Sequence, residues 1–301
     1  MAGARHEGWV SRLNILSIQS WVAYGHVGNA SAAFPLQRLG AEVWAVNTVQ
    51  FSNHTGYGDW TGQVFSGAEI SALVDGIAAR GVLGGCDAVL SGYMGSTDIG
   101  HAIVAAVGRV KAANPTALYC CDPVIGDDNT GVYVRPGIAD YLRDHALRHA
   151  DIATPNRFEL EYLTGEPCDT LASVKRAMAK VQALMQPSGA RVVLATSLCT
   201  ADTPDDCIDM LAADGDAAET VWRLRTPKLP LEVNGAGDAT AALFLFHYLR
   251  SGSARDALAA AGASVFGLLR RTLEAGSREI LTVAAQEEFV TPSTVFAVER
   301  C

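Results

Sequence analysis

Short apolar runs alternate with helix-patterned segments along this chain, and that alternation leaves few folds open to it. The runs at 13–19, 42–47, 86–91, 117–121, 152–154 and 191–196 are brief and rich in strand-forming residues. Between them the helical period recurs near 29–39, over 68–80 and over 99–113. Strands that read as continuous apolar runs are buried on both faces, which predicts a mostly parallel sheet with helices on both sides. Two regions depart from the rule. Residues 48–63 mix Thr, Asn, Gly and aromatics with no helical period, as a β-lid or flap would. Residues 207–225 read as two antiparallel strands around Ala213-Asp214-Gly215-Asp216. Helices over 239–249 and 254–271 follow. With no internal repeat and no low-complexity linker, the expectation is an N-terminal tail, 1–12, and a single α/β domain, 13–301.

Charge narrows the function. Lys+Arg number 23 against 32 Asp+Glu, a formal net charge of −9, and no basic cluster stands out. Nucleic acid is therefore not an expected partner. An anionic ligand would have to be met by backbone amides or a metal. The seven cysteines are scattered, odd in number and free of any Cys-x-x-Cys pair. Reduced thiols in the cytoplasm fit that pattern, and a zinc site does not. The polar tail lacks the apolar core of a secretory signal. The longest near-apolar run, 257–269, is too short for a membrane span, so no membrane partner is expected.

In open α/β sheets ligands gather at the carboxyl ends of strands. Polar constellations follow Gln19, Cys121, Ala153 and Ala195, at four such ends. Asp122, before Pro123, reads either as a carboxylate for a metal or phosphate or as an Asx-type turn. Asn156 and Glu159, three apart after Pro155, read either as a plain helix cap or, with Asp122, as an oxygen-rich Mg²⁺ site. Ser20 opens a first strand-to-helix loop that ends in Gly28-Asn29 and lacks the Lys of a P-loop. The segment from Asn47 to Tyr57 looks like the wall of a pocket for a planar polar ring, although His54 alone reads as an ordinary loop or interior histidine.

The motif Gly235-Ala236-Gly237-Asp238 at the mouth of a helix reads equally as a tight turn or as a chemical device. The glycines let backbone N–H groups approach an anion, and the helix start adds partial positive charge. Asp238 follows as a candidate base. An anion cradle beside a base suits phosphoryl transfer to an alcohol.

Taken in chain order, these segments resemble the pyridoxal kinases of the ribokinase superfamily. The matching strings are 17–20, 27–29, 47–56, 91–93, 121–127, 154–156 with Glu159, 196–197 and 235–238. The Gln50–Thr55 run is the most specific of them. The resemblance implies a ribokinase-like three-layer sandwich that phosphorylates the 5′-hydroxymethyl group of pyridoxal in B6 salvage, with pyridoxine and pyridoxamine as further candidates. It implies Asp238 as base and the amides of Gly235, Ala236 and Gly237 as the anion cradle. Ser20, Val27, Thr55 and Tyr93 would contact the vitamer. Asp122 and Glu159 would organise Mg²⁺ directly or through water. Asn156, Thr196 and Ser197 would meet the phosphates of ATP, Asp127 and Tyr133 would lie on a closing flap, and Leu229 and Val233 would touch adenine. A homodimer and a monovalent cation such as K⁺ also belong to the family. Trp21 and Asn234 depart from residues common among relatives. A hydroxymethylpyrimidine-type kinase and a non-catalytic B6-binding protein are the alternatives.

Overall fold

The computed structural model describes residues 12–215 and 220–301. Of the expected tail only Arg12 falls within them, and Asp216 of the expected hairpin turn lies outside.

Twelve strands occur among the described residues: β1 (Asn14–Val22), β2 (Glu42–Phe51), β3 (Gly62–Val64), β4 (Ala88–Ser91), β5 (Leu118–Cys121), β6 (Gly126–Asp127), β7 (Gly131–Val132), β8 (Ile152–Ala153), β9 (Val192–Leu198), β10 (Cys207–Asp214), β11 (Thr220–Pro227) and β12 (Val298–Arg300). The α-helices are α1 (Asn29–Arg38), α2 (Gly67–Ala78), α3 (Thr97–Ala113), α4 (Ile138–Asp144), α5 (Arg157–Thr164), α6 (Leu171–Leu184), α7 (Ala236–Ser251), α8 (Ala254–Glu274) and α9 (Glu287–Val290).

Ten strands form one sheet in the order β12-β11-β10-β9-β8-β5-β4-β1-β2-β3, and β6 and β7 form a separate hairpin. From β9 to β2 every pairing is parallel. Antiparallel strands extend the sheet at both margins. Neighbouring residues of the parallel strands point into different cores. Ile15, Leu90, Cys120, Ile152 and Val192 pack with α1, α7 and α8. Leu16, Ile18, Cys121, Ala153 and Val193 pack with α2 through α6. Double burial is why these strands read as unbroken apolar runs. Each fully buried Leu, Ile or Phe contributes about 1.5–3 kcal/mol of transfer free energy, so both layers are anchored.

Three differences from the sequence expectation bear on the site. Strand β1 continues to Val22, with a register shift between Gln19 and Trp21, so Ser20 lies on a strand rather than in a loop. Strand β2 runs past Asn47 to Phe51. The rest of that segment is a 3₁₀ turn at Thr55–Tyr57 and the edge strand β3. The strand β12, not anticipated, pairs with β11. No helix among the described residues is long and apolar enough to cross a membrane.

Candidate active site

Gly235 caps α7 in the left-handed region, at φ 86°. A β-carbon there would run into the carbonyl oxygen of His26, so glycine is required on two counts. Ser31 Oγ donates to the Gly235 carbonyl at 2.7 Å and fixes the loop to α1. No side chain caps the start of α7. The first-turn amides, including those of Ala236 and Gly237, thus carry no side-chain cap, the arrangement that receives an anion. A β-carbon on Gly237 would meet nothing within 4 Å.

Asp238 lies in this first turn, half-buried. Burial pushes its carboxyl up to about 6, against the pull of backbone hydrogen bonds from Gly28 and from its own amide. Asp122, after β5, is 6% exposed, and its Oδ1 accepts from Thr154 Oγ1 at 2.8 Å. Burial, and then the charge of Asp238, raise its pKa. Glu159 is 4% exposed. Its Oε1 accepts from the Ile125 amide and its Oε2 from the Asn156 amide, both at 2.9 Å. Burial, then Asp122, hold its pKa well above the usual carboxylate range.

Among the described residues neither Asp122 nor Asp238 forms a salt bridge, and burial is the largest influence on each. Desolvated carboxylates in mutual repulsion are suited to a hydrated divalent cation. Both Glu159 oxygens are engaged by amides, so Glu159 suits a supporting field better than direct ligation.

The structure uses Asn156 as a cap. Its Oδ1 accepts from the Glu159 amide at 2.9 Å, and with Glu159 it completes a capping box. Its Nδ2 also donates to the Gly126 carbonyl at 2.9 Å, tying α5 to the base of the β6–β7 hairpin. Asp127 holds the hairpin turn, its Oδ1 accepting from the amides of Asn129 and Thr130 at 2.9 and 2.7 Å. Tyr133, 48% exposed, follows the hairpin. The Thr196 amide donates to Pro155 O at 3.0 Å, which brings the ends of β8 and β9 together. Ser197 is exposed and has φ 57°, uncommon outside glycine, where the β9–β10 register shifts. Leu229 and Val233 are half-buried in the segment leading to α7.

A cavity of about 720 Å³ lies beside Asp238. Its size suits a small organic ligand. Ser20, Val27, Thr55, Tyr93, Asp127, Tyr133, Gly235 and Asp238 all line it. Asp122, Asn156, Glu159, Thr196, Ser197, Leu229 and Val233 do not, nor do Ala236 and Gly237. Phe51, His54, Thr55 and Trp60 line the cavity from the aromatic 48–63 segment. Arg135 also faces the cavity. Trp60 belongs to the aromatic 48–63 segment though to no matching string, whereas Arg135 falls in no motif, and composition and spacing carried no signal for it.

The family model described as phosphomethylpyrimidine kinase matches residues 71–283. The chain is 63% identical to the pyridoxal kinase PdxY of Granulibacter bethesdensis, over 96% of this chain and 100% of that one. Among solved structures, pyridoxal kinase from Leishmania donovani in complex with ADP and ginkgotoxin superposes with a TM-score of 0.88 at 31% identity, covering 96% of this chain and 99% of that one. The same Leishmania enzyme with ADP and pyridoxamine gives a TM-score of 0.87, also at 31% identity, with the same coverage of each chain.

Proposed function

The chain belongs to the pyridoxal kinase family, and on that premise we propose that it transfers the γ-phosphoryl group of ATP to the 5′-hydroxymethyl group of pyridoxal. The observation that carries the proposal is that Asp238, at an uncapped helix start, opens on the same cavity as Ser20 and Thr55. Pyridoxine and pyridoxamine are further substrates on this reading, since Leishmania pyridoxal kinase has been solved with each of them and ADP.

In the reaction the alcohol oxygen attacks the γ-phosphorus, the bond to the β-phosphate oxygen breaks and ADP leaves. Asp238 accepts the alcohol proton. The amides of Gly235, Ala236 and Gly237 meet charge on the transferred group. Ser20 hydrogen-bonds the pyridine nitrogen, Thr55 the ring substituents, and Val27 and Tyr93 pack on the ring. Thr196 and Ser197 meet ATP phosphates. Asn156 acts with them by holding the hairpin, and Leu229 and Val233 line the adenine side. Asp127 and Tyr133 belong to the flap that excludes water, without which ATP is hydrolysed. Asp122, near Glu159, would hold Mg²⁺, which would supply neutralisation of phosphate charge. The same reading includes a K⁺-like monovalent cation, a homodimer and a cytoplasmic setting.

The test incubates purified protein with Mg-ATP and each vitamer, with hydroxymethylpyrimidine alongside, and follows mass gain of one phosphate. Phosphorylation of pyridoxal is expected. Phosphorylation of the pyrimidine alone, or of nothing, overturns the proposal.

A further inference from the structure

Glu279 stands in the segment after α8, 8% exposed. Its carboxylate reaches two loops that are far apart in the chain. Oε1 meets His54 Nε2 at 3.0 Å and accepts from the Tyr57 hydroxyl at 2.6 Å. Oε2 accepts from the His26 amide at 3.2 Å. The carboxylate also fills the space of a β-carbon at Gly25, where φ is 87°. Among the described residues no Lys or Arg side chain pairs with it, and its side-chain partners are His54 and Tyr57. A buried acid without a permanent cation is a costly way to obtain stability alone.

Both loops serve the cavity. His54 and Thr55 line one wall, and Val27, next to His26, lines another. The His26 carbonyl abuts Gly235, and the Gly28 backbone hydrogen-bonds Asp238. A carboxylate only accepts, so the Nε2–H of His54 donates to it, which orients the ring.

We propose that Glu279 is a positioning residue that clamps the 25–28 and 54–57 loops around the ring-binding cavity and so sets affinity for the vitamer. It acts through His26, His54 and Tyr57. The inference rests on the pyridoxal kinase reading above.

Steady-state kinetics of Glu279→Ala, Glu279→Gln and Tyr57→Phe test it, together with pyridoxal titrations without ATP followed by tryptophan fluorescence. Glu279→Ala is expected to raise KM and Kd for pyridoxal about tenfold, with KM for ATP within about twofold. Glu279→Gln keeps an acceptor for one loop but presents a donor to the other, so its values should fall between wild type and Glu279→Ala. Should Glu279→Ala not fold, Tyr57→Phe removes one donor from a partly exposed ring and leaves the other two to Glu279, and it is expected to stay folded and weaken pyridoxal about threefold. Pyridoxal affinity within about twofold of wild type in the variants overturns the clamp, as does a parallel loss of ATP affinity. Wild-type protein that binds pyridoxal without phosphorylating it overturns the kinase reading alone, and the titrations still decide the clamp. Wild-type protein that does not bind pyridoxal overturns both.

Discussion

The carbonyl oxygen of His26 occupies the space that a β-carbon on Gly235 would need, whereas Gly237 faces open space. The two glycines of one motif therefore answer different demands. Gly235 lets two backbones touch, and Gly237 leaves room for something else.

Substituting each glycine separates these demands. Gly237→Ala is expected to fold and melt like wild type, because alanine suits a helix better than glycine. Its turnover should drop at least about tenfold, because the methyl group enters the space of the transferred group. Gly235→Ala should yield little folded protein. Circular dichroism melts and vitamer phosphorylation report both outcomes; normal turnover by Gly237→Ala would place the phosphoryl group elsewhere.

Asp238→Asn should lower turnover about 10²-fold or more and leave ATP binding intact. It should also stabilise the unliganded protein. Burial lifts the native carboxyl from 3.8 to about 6, so the folded chain holds that proton more tightly than the unfolded chain. The stability from this group is whole below pH about 4 and is lost as pH rises through about 6. At pH 7.5 the Asn variant avoids the loss, by roughly 1–3 kcal/mol. Calorimetry at pH 4 and pH 7.5 checks the sign: the gain should appear at the higher pH and vanish at the lower.

The same titration shapes the rate. Asp238 accepts a proton only as carboxylate, so kcat/KM for pyridoxal should fall about tenfold per unit as pH drops below about 6. A flat profile between pH 5 and 7 would remove Asp238 from the role of base.

Asn156→Ala removes a helix cap and the bond to Gly126 together. The cap alone is worth about 1 kcal/mol. Freeing the hairpin base should raise KM for ATP severalfold and increase ATP hydrolysis in the absence of vitamer, measured as phosphate release. Tight coupling in the variant would show that the hairpin excludes water without this tether.

The parallel core was legible because β1, β4 and β5 bury both faces, so Ile15 and Leu16, or Cys120 and Cys121, are all apolar. The hairpin β6–β7 and the strand β12 are too short to show a period. The aromatic segment stood out because it has no helical period; its first residues extend β2 to Phe51, and Phe51, His54, Thr55 and Trp60 line the cavity. Asn156 and Glu159 were ambiguous because a capping box and a metal site ask for the same residues at the same spacing; the geometry shows the cap. Glu279 sits beside Arg278 and looks like a surface charge. Its partners lie 253 and 225 positions away, beyond the reach of any spacing rule.

That separation bears on how the protein comes into being. A ribosome that has made both ring-facing loops must add more than 200 further residues before Glu279 exists to join them. The nascent chain can assemble its first parallel strands early, but the completed pocket is a late event of synthesis. A chain stalled or clipped just before Glu279 would keep the pocket-lining residues, from Ser20 to Asp238, without the group that ties the two loops together.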